Sequence, residues 1–198
     1  MNAVFDRDAL LDAFDQIGRA AVAAGTKLQI AVYGGSALML ASNFRFATED
    51  VDVSQLEHPL PAWLDTVLQE IAEKRGWQRD WFNAFHLSSL ADRPTDHLEF
   101  ATFPPDGEKA GLVVSVPSAE YLLALKLKAF RIMDPLRGET ERLDILNLMQ
   151  VVGISTAEEA IALLGRYFPV SAASSEKQRF LLKNMNREGA IDAPKYPR

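Results

Sequence analysis

Leu28-Gln29-Ile30-Ala31-Val32-Tyr33-Gly34-Gly35-Ser36-Ala37-Leu38-Met39-Leu40-Ala41 is the stretch that decides the fold. A mostly apolar run leads directly into two glycines and a serine, and these lead into a short helix-forming segment. The pattern predicts a strand, a tight turn with outward-facing backbone N–H groups, and a helix whose N-terminus suits an anion. Ser36 is expected to cap that helix and to face the phosphates of a ligand. After thirteen intervening residues comes Asp50-Val51-Asp52. A strand over Asp50–Ser54 puts both carboxylates on one face and Val51 on the other. Such a pair suits one or two divalent cations, Mg²⁺ or Mn²⁺, bridging carboxylate and phosphate oxygens. Gly34, Gly35 and Ser36 are therefore the candidate phosphate cradle, and Asp50 and Asp52 the candidate metal ligands.

Outward from this stretch, helices and strands alternate up to residue 117. Leu10, Leu11, Phe14, Ile17, Ala21 and Val22 recur at helical spacing, predicting a helix from Arg7 to Ala24 that ends at Gly25. A second helix is predicted from Pro61 to Arg75, stopped by Gly76. Strands Leu98–Phe103 and Leu112–Val116 flank Pro104-Pro105-Asp106-Gly107, which reads as a hairpin turn. From Ser118 the pattern is helical: Ala119–Met133, Glu139–Val152, a helix opened by the capping box Thr156-Ala157-Glu158-Glu159, and Ser174–Arg187. The expectation is an α/β (α+β) core with a mixed sheet over 1–117, a helical region over 118–187 that completes the active site, and a loosely held tail over 188–198.

At 198 residues and 48% apolar content, the chain can bury a full core. It contains no run of eighteen apolar residues and no basic-then-apolar leader, so neither a membrane span nor a secretory signal is expected. The absence of cysteine excludes disulfides, thiolate catalysis and zinc-thiolate sites, and His58, His86 and His97 have no metal-ligand spacing. A soluble, cytoplasmic protein is the expectation. The net charge of −6 is uneven: residues 1–117 hold nine Lys/Arg against seventeen Asp/Glu, a balance of −8, and residues 118–198 hold twelve against ten, +2.

Gly34-Gly35-Ser36, Arg45, Thr48, Asp50-Val51-Asp52, the segment Tyr121 to Leu127 with Lys126, and Glu141-Arg142-Leu143-Asp144-Ile145 together carry a family resemblance over nearly the whole chain. They resemble the minimal nucleotidyltransferases of the AbiEii/MenA toxin type, and in particular a poorly characterised group related to them. Those families have a Gly-Ser turn, an Asp-x-Asp strand, and a lysine followed by Asp-x-x-Asp. In this chain Glu141 stands at the first position of the last motif, and thirteen residues rather than about ten separate Ser36 from Asp50. The resemblance implies a polymerase-β-like core and transfer of a nucleotide from an NTP to an acceptor hydroxyl. It implies an RNA acceptor such as a tRNA 3′ end, a toxin role and a cognate antitoxin partner. Lys126 would neutralise charge at the α-phosphate or the leaving pyrophosphate, with Asp144 orienting it or acting as base.

Each residue also has a plainer reading. Gly34-Gly35 alone is an ordinary turn, and a lone Asp-x-Asp is a solvated edge strand. Lys126 lies in an apolar stretch, where it must be paired or functional; the readings are pairing with Asp144 or Glu141 and contact with the triphosphate, and the two can coexist with a carboxylate orienting the lysine. Arg45 and Thr48 either touch phosphates or support the loop, with support favoured. Glu99, expected to share a strand face with His97 and Ala101, is a candidate third carboxylate. Trp77, Trp81, Phe82 and Phe85 read as core packing rather than base stacking. Two rivals to the transferase stay open: an inactive binding module on the same fold, and a small-molecule, antibiotic-type nucleotidyltransferase.

Overall fold

The structure is a computed structural model and describes residues 4–55, 60–84, 96–106 and 109–197; His58, His86, Phe85 and Gly107 lie outside these residues. The first half runs β1 (Phe5–Asp6), α1 (Arg7–Ala23), β2 (Leu28–Tyr33), α2 (Gly34–Ala41), β3 (Ala47–Thr48), β4 (Val51–Gln55), α3 (Ala62–Arg75), β5 (Phe82–Ala84), β6 (His97–Phe103) and β7 (Leu112–Pro117). The second is helical: α4 (Ala119–Ala129), α5 (Gly138–Val152), α6 (Ala157–Tyr167), α7 (Pro169–Ala173) and α8 (Glu176–Lys183). The architecture is the mixed α/β arrangement expected, with helices following the sheet.

Five strands form one mixed sheet in the order β5-β4-β2-β7-β6, and β1 pairs separately with β3. Strand β2 is central, antiparallel to β4 and parallel to β7. Its register sorts the side chains by face. One face carries Leu28, Ile30 and Val32 with Val51, Val53, Leu112, Val114 and Phe103, all buried. Helix α1 packs against this face, with the Phe14 and Phe103 rings 5.8 Å apart. The opposite face carries Asp52, Tyr33, Ser54, Ser115, His97 and Glu99. The aromatic cluster is core packing, as expected: Trp81 is fully buried, contacts Phe5, Trp77 and Phe82, and donates its indole N–H to the Leu68 carbonyl at 3.2 Å.

The described residues fall into two compact units. The first comprises those of Met1–Ala41, Arg45–Leu87 and His97–Pro117; the second comprises those of Ser42–Phe44, Ser88–Asp96 and Ser118–Arg198. In the second unit the Thr156/Glu159 capping box forms as expected. Other boundaries differ. Helix α4 stops at Ala129 because Phe130 adopts φ 40°, ψ 58°, and a 3-10 turn, Arg131–Met133, follows. The helix expected over Ser174–Arg187 is shorter and is preceded by α7, which Pro169 opens at its first position. The tail expected to be loosely held is tethered: Arg142 donates to the Asn186 and Glu188 carbonyls, Ile191 N–H to Asn147 Oδ1 at 2.9 Å, and Lys195 N–H to Asn43 Oδ1 at 3.1 Å. Among the described residues no single helix is long and apolar enough to cross a membrane.

Candidate active site

Strand β2 passes into α2 with no intervening loop, so Gly34 and Gly35 form the first turn of the helix. Gly34 has φ +64°, which an L side chain adopts only with strain. It also lies against a carboxylate: a Cβ at Gly34 would sit 3.1 Å from Asp52 Oδ2. Tyr33, the residue before it, is the register partner of Asp52. The start of the helix, where the first N–H groups have no partner within the helix, is thus held beside one of the two expected metal ligands. At Gly35 a Cβ would lie 3.1 Å from an Arg45 guanidinium nitrogen and 3.6 Å from the Thr48 hydroxyl. The turn, the arginine and the threonine therefore form one cluster.

Asp50 is the residue before β4 and Asp52 the second residue in it; both are half-buried. Ser36 differs from expectation. It is the third residue of α2 rather than its cap, it is 1% exposed, and its hydroxyl donates to the Asp50 carbonyl at 2.6 Å. Thr48 donates to the same carbonyl at 3.0 Å. Two hydroxyls from different elements converge on one backbone oxygen.

Glu99 does not join this cluster. Its register partner is Ser115, whereas that of Ala101 is Val114, so a bulge at Phe100 puts Glu99 and Ala101 on opposite faces, not on one face as expected. Three strand steps separate Glu99 from Asp52, on the order of 14 Å between backbones, too far to share one cation directly. His97 stays on the polar face, and its Nε2 shares a 2.8 Å hydrogen bond with the Tyr33 hydroxyl. The bond links residues sixty-four apart, so local spacing does not reveal it.

The second unit holds the late motif. Lys126 Nζ donates to both Glu141 oxygens at 3.0 Å and to Asp144 Oδ2 at 2.7 Å. The lysine, glutamate and aspartate side chains are 7%, 10% and 3% exposed. Lys126 pairs with both carboxylates rather than one, an arrangement compatible with the lysine also meeting a triphosphate. An ammonium has three N–H donors and no acceptor, and all three face carboxylate oxygens here. Glu141 and Asp144 sit three apart on α5, which places them on one helix face beside α4.

Among the described residues no group of three or more His, Cys, Asp or Glu forms a cage for a metal ion. Mg²⁺ does not need one, because it takes one or two carboxylates and completes its shell with substrate phosphates and water. The donor set at Asp50 and Asp52 fits that use.

No family model matches the chain, and no curated protein does. Among solved structures it is similar to an antigenic nucleotidyltransferase-like protein from Paracoccidioides brasiliensis, with 13% identity over 87% of this chain and 94% of that one, at a TM-score of 0.45.

Proposed function

We propose that this chain is a divalent-metal-dependent nucleotidyltransferase, moving a nucleoside monophosphate from a nucleoside triphosphate to an acceptor hydroxyl. The observation that carries this is the placement of Asp52 beside the first turn of α2: a Cβ at Gly34 would sit 3.1 Å from its Oδ2, and Tyr33, the residue before, is its register partner. Backbone N–H groups at a helix start favour phosphate oxygens, and a carboxylate pair favours the cation that accompanies them.

Asp50 and Asp52 hold the cation, Mg²⁺ or Mn²⁺, which when bound offsets charge on the triphosphate and on the developing transition state. Gly34 and Gly35 open the helix whose first N–H groups would face phosphate oxygens, with the Arg45 guanidinium beside Gly35. The acceptor hydroxyl attacks the α-phosphorus in line and gives up its proton to solvent, the bond to the bridging oxygen breaks, and pyrophosphate leaves. Lys126 is bonded to Glu141 and Asp144, which supports a role in joining α4 to α5; a bond to a phosphate oxygen would require it to release one of them.

Following the family resemblance, the acceptor is RNA, a tRNA 3′ end, and the partner an antitoxin protein. The test offers the purified chain each α-labelled NTP in turn with Mg²⁺ and total RNA. Label should pass to RNA from at least one nucleotide, and EDTA or Asp50→Asn should abolish it. Absence of labelled RNA with all four nucleotides would contradict the RNA acceptor, and absence of any labelled product would contradict the transferase.

A further inference from the structure

The peptide unit between Asp50 and Val51 is held at both ends. Its carbonyl accepts hydrogen bonds from Ser36 in α2 and Thr48 in β3, and its N–H donates to the Trp81 carbonyl at 2.7 Å. Both hydroxyls are buried, at 1% and 8% exposure. Three hydrogen bonds from three separate segments thus fix the plane of this peptide, and with it the position of the Asp50 Cα from which the carboxylate side chain departs.

We propose that Ser36 and Thr48 are positioning residues for the Asp50 carboxylate and not phosphate ligands. A hydroxyl has one proton to donate. Phosphate oxygens at neutral pH are acceptors, so a serine whose proton lies on the Asp50 carbonyl has none to offer them. The geometry also accounts for two hydroxyls where one would satisfy the carbonyl. A metal ligand must be held within about 0.5 Å of its working place, and Asp50 precedes β4, where no ladder bond does this for its carbonyl. The proposal rests on Asp50 being a metal ligand, as above, and concerns what holds it there.

Two probes separate the roles. Mn²⁺ alone, followed by the loss of its free-ion paramagnetic resonance signal, reads the carboxylates. Inorganic triphosphate in EDTA, followed by calorimetry, reads the phosphate cradle without metal. Ser36→Ala and Thr48→Val should each weaken Mn²⁺ binding about tenfold, and the double variant about a hundredfold, the range seen when residues behind a metal ligand are removed. Thr48→Ser, which keeps the hydroxyl, should bind Mn²⁺ like the parent, and triphosphate binding in EDTA should stay within about twofold throughout. Circular dichroism identifies folded variants; should Ser36→Ala fail to fold, the pair Thr48→Val and Thr48→Ser decides alone. Folded variants with parental Mn²⁺ affinity would overturn the proposal, as would a Ser36→Ala variant that loses metal-free triphosphate binding. A parent that binds no Mn²⁺ would overturn the metal role of Asp50 itself, a result distinct from either.

Discussion

Asp50 and Asp52 are half-buried where a sheet meets a helix start, whereas Glu141 and Asp144 are buried on one helix around a single lysine. The two acidic pairs are similar in spacing and differ in construction. The first is organised through the backbone: a left-handed glycine beside one carboxylate and two hydroxyls on the carbonyl of the other. The second is organised through its own side chains, with every ammonium proton facing a carboxylate oxygen. The contrast separates their roles. A site whose carboxylates are set through the backbone suits an incoming cation, while a cluster built around a lysine joins two helices.

The largest effect is expected at the closed cluster. Lys126→Met leaves Glu141 and Asp144 buried without their cation, so the variant should lose about 3–5 kcal/mol in urea unfolding. Adding Glu141→Gln and Asp144→Asn should recover at least half of that loss, and a single variant as stable as the parent would break the comparison. A smaller effect is expected at the open site. Gly34→Ala puts a Cβ into a left-handed backbone at a cost of about 1–2 kcal/mol, and places it 3.1 Å from Asp52 Oδ2. Gly153→Ala, at φ +77° with nothing within 4 Å, carries the same kind of strain without that contact. Both should lower the unfolding midpoint, but only Gly34→Ala should weaken Mn²⁺ binding. Equal Mn²⁺ affinity in the two would detach the glycine from the metal site.

The smallest effect concerns the second unit alone. Burial, with a hydrogen bond to Asp96 of 2.8 Å, pushes the Tyr167 phenol up to about 12. A raised folded-state value means the protonated phenol is favoured in the folded chain. Its contribution is complete below the ordinary value near 10 and is lost as pH rises from 10 towards about 12. The stability of the parent should therefore fall more steeply over that window than that of Tyr167→Phe, and parallel curves would contradict the assignment.

Much of this was legible locally. The strand, the glycine turn and the helix of residues 28–41 are written in contiguous residues, and so is the Thr156/Glu159 capping box. What was not legible depends on partners distant in sequence or on single backbone angles. Ser36 reads as a cap until the Asp50 carbonyl, fourteen residues on, accepts its hydrogen bond. Glu99 and Ala101 alternate as strand neighbours until the bulge at Phe100 reverses the face, and periodicity cannot reveal a bulge. Strands β1 and β3, of two residues each, are too short to show a period. Phe130 ends α4 in a conformation that a glycine would have announced and a phenylalanine does not.

The central claim, that Asp50 and Asp52 bind a metal–triphosphate, is tested most directly by Mn²⁺-dependent NTP binding to Asp52→Asn, measured by calorimetry beside the parent. The account predicts a loss of at least a hundredfold with the unfolding temperature level or raised, because removing one of two neighbouring like charges costs the fold little. Parental affinity in a folded Asp52→Asn variant would contradict it.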